Sequence, residues 1–203
     1  MRYPHALFVT FALTFAGAAS AAETPLPIPK AEYSGDRVIE SAQGTFMQKV
    51  HSAAGKERME MDMGGMQSVM ILRPDKKVGW MLMPAQRMYM ELDLSKAKQQ
   101  AGGSGPPDDV TIEKVGVETV DGHPTTKYKM LMKDKSAGGF MWFTDDGIPI
   151  KMDMLSKDGK QKSRITMTLR NLEIGKQDAS LFELPAGYAK MPNMGGMNPL
   201  KGN

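Results

Sequence analysis

The residues of this chain best equipped for chemistry are thioethers. Twenty of its 203 residues are Met. Two runs bring three of them close together: Met61, Met63 and Met66, the last following Gly64-Gly65, and Met191, Met194 and Met197, the last following Gly195-Gly196. Soft thioether sulfur suits Cu(I), so binding of Cu(I) or Ag(I) is one chemistry that these clusters offer. Other chemistry has little to build on. Cysteine is absent, which excludes disulfides, thiolate metal sites and a cysteine nucleophile. Outside the N-terminal segment only His51 and His123 remain, in neither HxxxH nor HExxH spacing. Ser104 lies between Gly103 and Gly105 with no strand before it and no histidine base beside it, so the arrangement of a serine hydrolase is missing. Asp108-Asp109 and Asp145-Asp146 fall in loops without calcium-loop spacing, and no phosphate-cradling glycine motif occurs. These residues point to a protein that is not an enzyme and needs no cofactor. With a net charge of +3 and no basic patch interleaved with aromatics, nucleic acid is not an expected partner.

The elements that must position the methionines are strands. From Arg58 to Met63, charge and Met alternate strictly, the period of a half-buried β-strand. Met59, Met61 and Met63 then share one face, and Arg58, Glu60 and Asp62 the other. The pattern recurs at Met81/Met83, Met88/Met90, Met130/Met132 and Met152/Met154. Strands are expected near 32–42, 44–52, 56–63, 67–73, 77–83 and 86–92, and after a break near 110–119, 123–133, 138–145, 148–157 and 160–173. Asp121-Gly122, Asp146-Gly147 and Asp158-Gly159 supply the positive φ angles of tight hairpins. Strands joined by such turns are antiparallel. The fold class is therefore mainly β: a meander of about eleven strands in one curved antiparallel sheet. In 77–83 both faces are apolar, which calls for a central strand or cover on both sides.

The break at 93–109 reads as a short helix, capped by Asp93 or Ser95, running to Ala101 and followed by a glycine- and proline-rich loop. Leu94, Ala97 and Ala101 give it an apolar stripe, suited to lie as a lid on the concave side of the sheet. Asp178 to Phe182 reads as a single helical turn. Residues 1–21 read as a signal peptide: Arg2, an apolar run from Ala6 to Ala19, and a small-x-small site at Ala19-Ser20-Ala21, with cleavage after Ala21 or Ala22. A soluble, exported, periplasmic protein is expected. Residues 22–31, with Pro25, Pro27 and Pro29, read as an extended leader, 32–190 as the β domain, and 191–203 as a flexible Met-, Gly- and Pro-rich tail.

A sheet with one apolar face must cover it, yet one short helix and two tails are all the chain has for cover. A face lined by Met59, Met61, Met63, Met88, Met90, Tyr128, Met130, Met132, Met152, Met154 and Met167 is thus a candidate ligand surface, since unbranched Met adapts to varied shapes.

Three stretches carry a family resemblance: MILRPDKKVGWMLMPAQRMYME from Met70 to Glu91, GVETVDGHPTTKY from Gly116 to Tyr128, and FELPAGY from Phe182 to Tyr188. They resemble an exported bacterial family of unknown function. It is related to the LolA-like superfamily of the outer-membrane lipoprotein carrier LolA and the sensor RseB. The resemblance spans about Tyr33 to Lys190. It implies a curved antiparallel half-barrel whose concave apolar face, closed by helices and loops, binds acyl chains or lipoproteins. The chain departs from LolA in lacking an evident long N-terminal helix and in the Met content of its apolar face. The leading expectation is a binding or carrier protein for a hydrophobic small molecule, lipid or lipoprotein, compatible with transient contact with the membrane or an envelope protein. Two alternatives stand beside it. One is Cu(I)/Ag(I) binding by Met61, Met63, Met66, Met191, Met194 and Met197. The other is an envelope scaffold or sensor that binds another protein.

Overall fold

A computed structural model describes residues 25–96, 110–158 and 161–191. The expected signal peptide, the lid positions Ala97 and Ala101, the pair Asp158-Gly159 as a turn, and the tail methionines Met194 and Met197 lie outside the described residues.

Twelve strands form one sheet: β1 Tyr33–Ser41, β2 Gly44–Ala53, β3 Lys56–Met63, β4 Met66–Arg73, β5 Val78–Met83, β6 Met88–Asp93, β7 Val110–Val120, β8 His123–Met132, β9 Ala137–Thr144, β10 Pro149–Asp158, β11 Gln161–Ile174 and β12 Ala189–Lys190. The sheet is curved and does not close on itself. The first eleven follow the hydrophobic alternation to within a residue or two at each end. The twelfth adds one short strand to the expected set of about eleven. It pairs parallel with β6, Ala189 against Met88, so the sheet is antiparallel except at this edge. Two residues, a single apolar–polar repeat, are too few to register as a strand in the sequence.

The order β12-β6-β5-β4-β3-β2-β1-β11-β10-β9-β8-β7 also corrects the single meander. Two hairpin series, β1–β6 and β7–β11, join through β1 and β11, with Ile39 opposite Met167 and Arg37 opposite Leu169. As a result β6 and β7, consecutive in sequence, lie ten strand positions apart. At ~4.8 Å per strand that is about 48 Å along the sheet. Seventeen Cα–Cα steps from Asp93 to Val110 reach about 60 Å only when fully extended. A sheet whose edges curl toward each other relieves this demand, so connection length and curvature go together.

The hairpin ends follow turn chemistry. Asp121 and Gly122 both have positive φ, 48° and 79°, as the Asp-Gly pair requires. At Asp146-Gly147 only Gly147 does, at 76°, because the turn spans more residues and closes by Gly147 N–H donating to Thr144 O at 2.9 Å. The 3-10 turns Pro74–Lys76 and Pro84–Gln86 each end in a left-handed residue, Lys77 (φ 57°) and Arg87 (φ 50°).

The leader is less free than its composition implies. Leu26 packs against the cluster of Val110, Ile112, Tyr128 and Phe143, and Lys30 N–H donates to Asp146 O at 2.8 Å.

Candidate functional site

Cross-strand register decides which methionines meet, because partners in a ladder share a face and their Cβ atoms approach to about 5 Å. Met59 opposes Val50 on β2 and Met70 on β4. Met70 opposes Met81, and Met81 opposes Met90. Val50, Met59, Met70, Met81 and Met90 therefore stand in one row across five strands. One step along the strands, Met83 opposes Met88, and Met61 lies between Gln48 and Ser68. In the other half, Met167 opposes Met152, Met152 opposes Met141, and Met141 opposes Tyr128. A neighbouring row runs Ile165, Met154, Gly139, Met130, Ile112. Ile39 and Phe46 carry the Met167 row onto β1 and β2, so both halves present one continuous apolar face.

The structure thus brings together every strand methionine expected on this face, and Tyr128 with them. Met63 shares the face by register, opposite Met66, although its side chain lies outside the description. Four further members escaped the candidate set: Met70, Met81, Met83 and Met141. Met70 and Met141 sit in runs apolar at every position, Val69–Leu72 and Phe140–Phe143, where no period indicates a face.

The face is neither dry nor free. Met167 is buried at 7% exposure and Tyr128 at 8%. Met59, Met61, Met70, Met81, Met83, Met88, Met90, Met130, Met132, Met141, Met152 and Met154 are all half-buried. Of the expected lid, Leu94 is described. Asp93 is the cap, its Oδ1 accepting from Ser95 N–H at 2.9 Å. A Cβ placed on Gly79 would meet Leu94 Cδ2 at 3.4 Å. Gly79 pairs with Leu92 and Leu72, on the side of Met81. The chain therefore leaves β6 over the methionine face.

A polar island interrupts the face at β1. Arg37 Nη2 donates to Glu57 Oε1 at 2.6 Å and Nη1 reaches Met59 Sδ at 3.6 Å. Its buried Nε has no hydrogen-bond partner among the described residues. Tyr33, 2% exposed, has its pKa raised, first by burial and then by the Glu57 carboxylate.

The opposite face divides in two. Over β3–β5 the layer missing from the sequence reading is the C-terminal segment. Asp178 caps the 3-10 turn Ala179–Phe182, its side chain accepting from Ser180 N–H. Phe182 is 1% exposed, and Leu184 and Tyr188 pack on Val69, Ile71, Trp80 and Leu82. Arg73 fastens this strap. It donates to Phe182 O at 3.1 Å, to both Asp75 carboxylate oxygens at 2.9 and 2.7 Å, and to Glu183 Oε1. Hydrogen bonding to Arg73 lowers the Asp75 pKa to about 2, and Lys76 with Arg73 lowers that of Glu183. This is why β5 is apolar on both faces. Over β8–β11 the same side mixes charged residues with apolar ones, Leu131, Phe140, Trp142 and Leu155. Lys127 stands over Phe140 at 4.5 Å and Trp142 at 4.7 Å, and Arg164 pairs with Asp153 at 2.6 Å.

Among the described residues, no group of three His, Asp or Glu could hold a metal ion, and no helix is long and apolar enough to cross a membrane. The Met61, Met63 and Met66 positions do share one face of the β3–β4 hairpin, while Met191 lies beyond β12, its N–H donating to Tyr89 O at 2.8 Å.

Solved structures share the fold. An uncharacterized conserved protein from Thermus thermophilus superposes with a TM-score of 0.55 at 12% identity, over 79% of this chain and 90% of that one. MucB in complex with MucA(peri) gives 0.50 at 16% identity, over 78% of this chain and 56% of that one. The MucA/MucB complex is from Pseudomonas aeruginosa. This chain thus spans a little over half the length of MucB. A LolA superfamily protein from Nitrosomonas europaea gives 0.41 at 10% identity, over 78% of this chain and 92% of that one. No curated protein matches the chain. Residues 38–146 match the family model described as Domain of unknown function (DUF4412), and with just over half of its length matched, the chain belongs to that family.

Proposed function

We propose that the protein is a periplasmic binding or carrier protein whose methionine face takes up an acyl chain, a lipid or a lipoprotein. One observation carries this reading. The chain spends its C-terminal segment sealing the non-methionine side of β3–β5, where Phe182, Ile71 and Leu82 are fully buried, while the methionines behind them stay half-buried. A long row of flexible thioethers flanked by Leu94 suits a guest of variable shape. Each methylene buried there contributes about 0.8 kcal/mol. The remaining lid positions, Ala97 and Ala101, belong to the same proposal, as does export by the N-terminal segment. MucB is seen bound to MucA(peri), so a protein partner on the same fold is compatible with it.

The direct test is native mass spectrometry of protein extracted gently from the periplasm. A bound lipid or acylated species is expected, lost on substituting Met70, Met81 and Met141 by Gln. Apoprotein alone, with no uptake of a labelled fatty acid, would count against it.

The shared face of Met61, Met63 and Met66 favours a second reading, a Cu(I) site at the β3–β4 hairpin. Anaerobic titration of the Met→Leu triple variant separates the two. Unchanged copper affinity would remove this cluster as the site.

A further inference from the structure

A second surface lies on the side opposite the methionines, at the end of the sheet that holds the β8–β9 turn, the last residues of β10 and the first of β11. Leu131 and Leu155 both pair with Gly138 on β9. Three residues thus stand in a row whose middle member has no side chain. Leu131 leans over Gly138, its Cδ1 2.9 Å from where a Cβ would stand, so the row is a shallow depression instead of a full ridge, and Phe140 borders it two residues along. The result is a groove of about 380 Å³. Leu131 is 37% exposed and Leu155 53%.

The rim has one sign of charge. Lys129, Lys135, Lys157 and Lys162 line the groove, and no carboxylate is among its described lining residues. Register accounts for three of them. Lys129 precedes Leu131 by two, Lys157 follows Leu155 by two, and Lys157 opposes Lys162. Lys135 sits in the adjacent turn with φ 58°. The same end of the sheet carries Ile165 at 42% exposure, Met47 at 62% and Met66 at 73%. At the other end of this half, the turns bear exposed Asp121, Asp145 and Asp146. Carboxylates are present at the groove end as well, Glu113 opposite Lys129 and Asp134 beside Lys135, but neither lines the groove itself.

A surface lysine run normally alternates with acids and lies over polar residues. Here it rings open aliphatic side chains. That combination complements an anionic amphiphile surface, where apolar side chains enter the acyl boundary and ammonium groups meet phosphates. We propose that this end of the sheet docks the protein on an anionic phospholipid membrane, with Leu131 and Leu155 at the acyl boundary and the four lysines on the headgroups. The docking deepens the carrier reading, since it gives a carrier a place to load or unload, and it rests on that reading only for its purpose.

Flotation of the full mature chain with vesicles tests it. Vesicles of phosphatidylglycerol and phosphatidylcholine are compared with vesicles of phosphatidylcholine alone. Binding to the anionic vesicles alone is expected. At roughly fivefold per lysine, K129Q/K135Q/K157Q/K162Q should weaken it at least a hundredfold, and L131S/L155S at least tenfold. All six side chains are at the surface, and circular dichroism checks that the variants fold. No binding to anionic vesicles, equal binding to neutral ones, or full binding by the lysine variant would overturn the proposal. The two readings fail separately. Wild-type protein that carries a lipid in native mass spectrometry but ignores vesicles refutes docking alone. Protein that binds vesicles through these lysines yet carries no ligand refutes the carrier reading alone.

Discussion

Met81 and Leu82 are neighbours on β5 that face opposite sides of the sheet, and replacing each by Ala compares the two sides directly. Leu82 is 1% exposed and is held among Val69, Ile71 and Trp80 under Leu184 and Tyr188. Truncating it leaves a cavity that the strap cannot fill, so a loss of about 2–5 kcal/mol is expected. Met81 lies between Met70 and Met90 in its row and is half-buried. Full burial of a Met side chain is worth ~1.5–3 kcal/mol. Half of that, with water or a neighbouring Met entering the space, leaves about 1 kcal/mol. At ~2–4 °C per kcal/mol for a chain of this size, Met81→Ala should lower Tm by only a few degrees and Leu82→Ala by at least twice as much. Urea denaturation of delipidated protein, read by Trp fluorescence, measures both at constant m-value. If Met81→Ala costs as much as Leu82→Ala, the methionine side is an ordinary packed core, and the reasoning from half-burial to an open ligand face fails.

Three further outcomes follow from the same contacts. Phe182→Ala should cost about 3–5 kcal/mol and raise hydrogen exchange in β4 and β5 while leaving β8–β10 protected; uniform loss of protection would show that the strap is not a local cover. The Arg73–Asp75 pair contributes stability that is present above the ordinary Asp value of 3.8 and is lost as pH falls through the folded value of about 2. Asp75→Asn should therefore destabilise at pH 7 and flatten the stability profile between pH 4 and pH 2 (about one carboxylate's worth), and parallel profiles for variant and wild type would contradict the pairing. Gly147 has φ +76°, and a Cβ there would run into Ile28 O; Gly147→Ala should displace the leader, detected as faster proteolysis near Ile28, and unchanged cleavage would show that the leader does not depend on that approach.

Much of this architecture is written in local pattern. Alternation from Arg58 to Met63, bounded by Gly55 and Gly64-Gly65, locates β3, and the pair Asp121-Gly122 has the backbone its chemistry demands. What is not local is not legible. Nothing near Ile39 or Met167 says that β1 and β11 are partners, because that pairing closes a loop of well over a hundred residues and is selected by burial of both halves together. Met70 and Met141 belong to the face only by register, since their apolar neighbours on both sides erase the period. The mismatch between apolar surface and available cover was visible, but its resolution was not. The strap covers the side with Ile71 and Leu82, through one buried arginine and one phenylalanine whose own stretch reads as a single helical turn with nothing to say where it packs.

The central claim is that the methionine face holds a guest. The measurement closest to it is native mass spectrometry of the gently extracted native protein, followed by transfer of a labelled acyl lipid to the stripped chain. The account expects a discrete added mass on the native protein, one bound equivalent on reloading, and loss of both when Met70, Met81 and Met141 become Gln. A chain that flies at its bare mass, takes up no lipid, and is as stable stripped as native would contradict it.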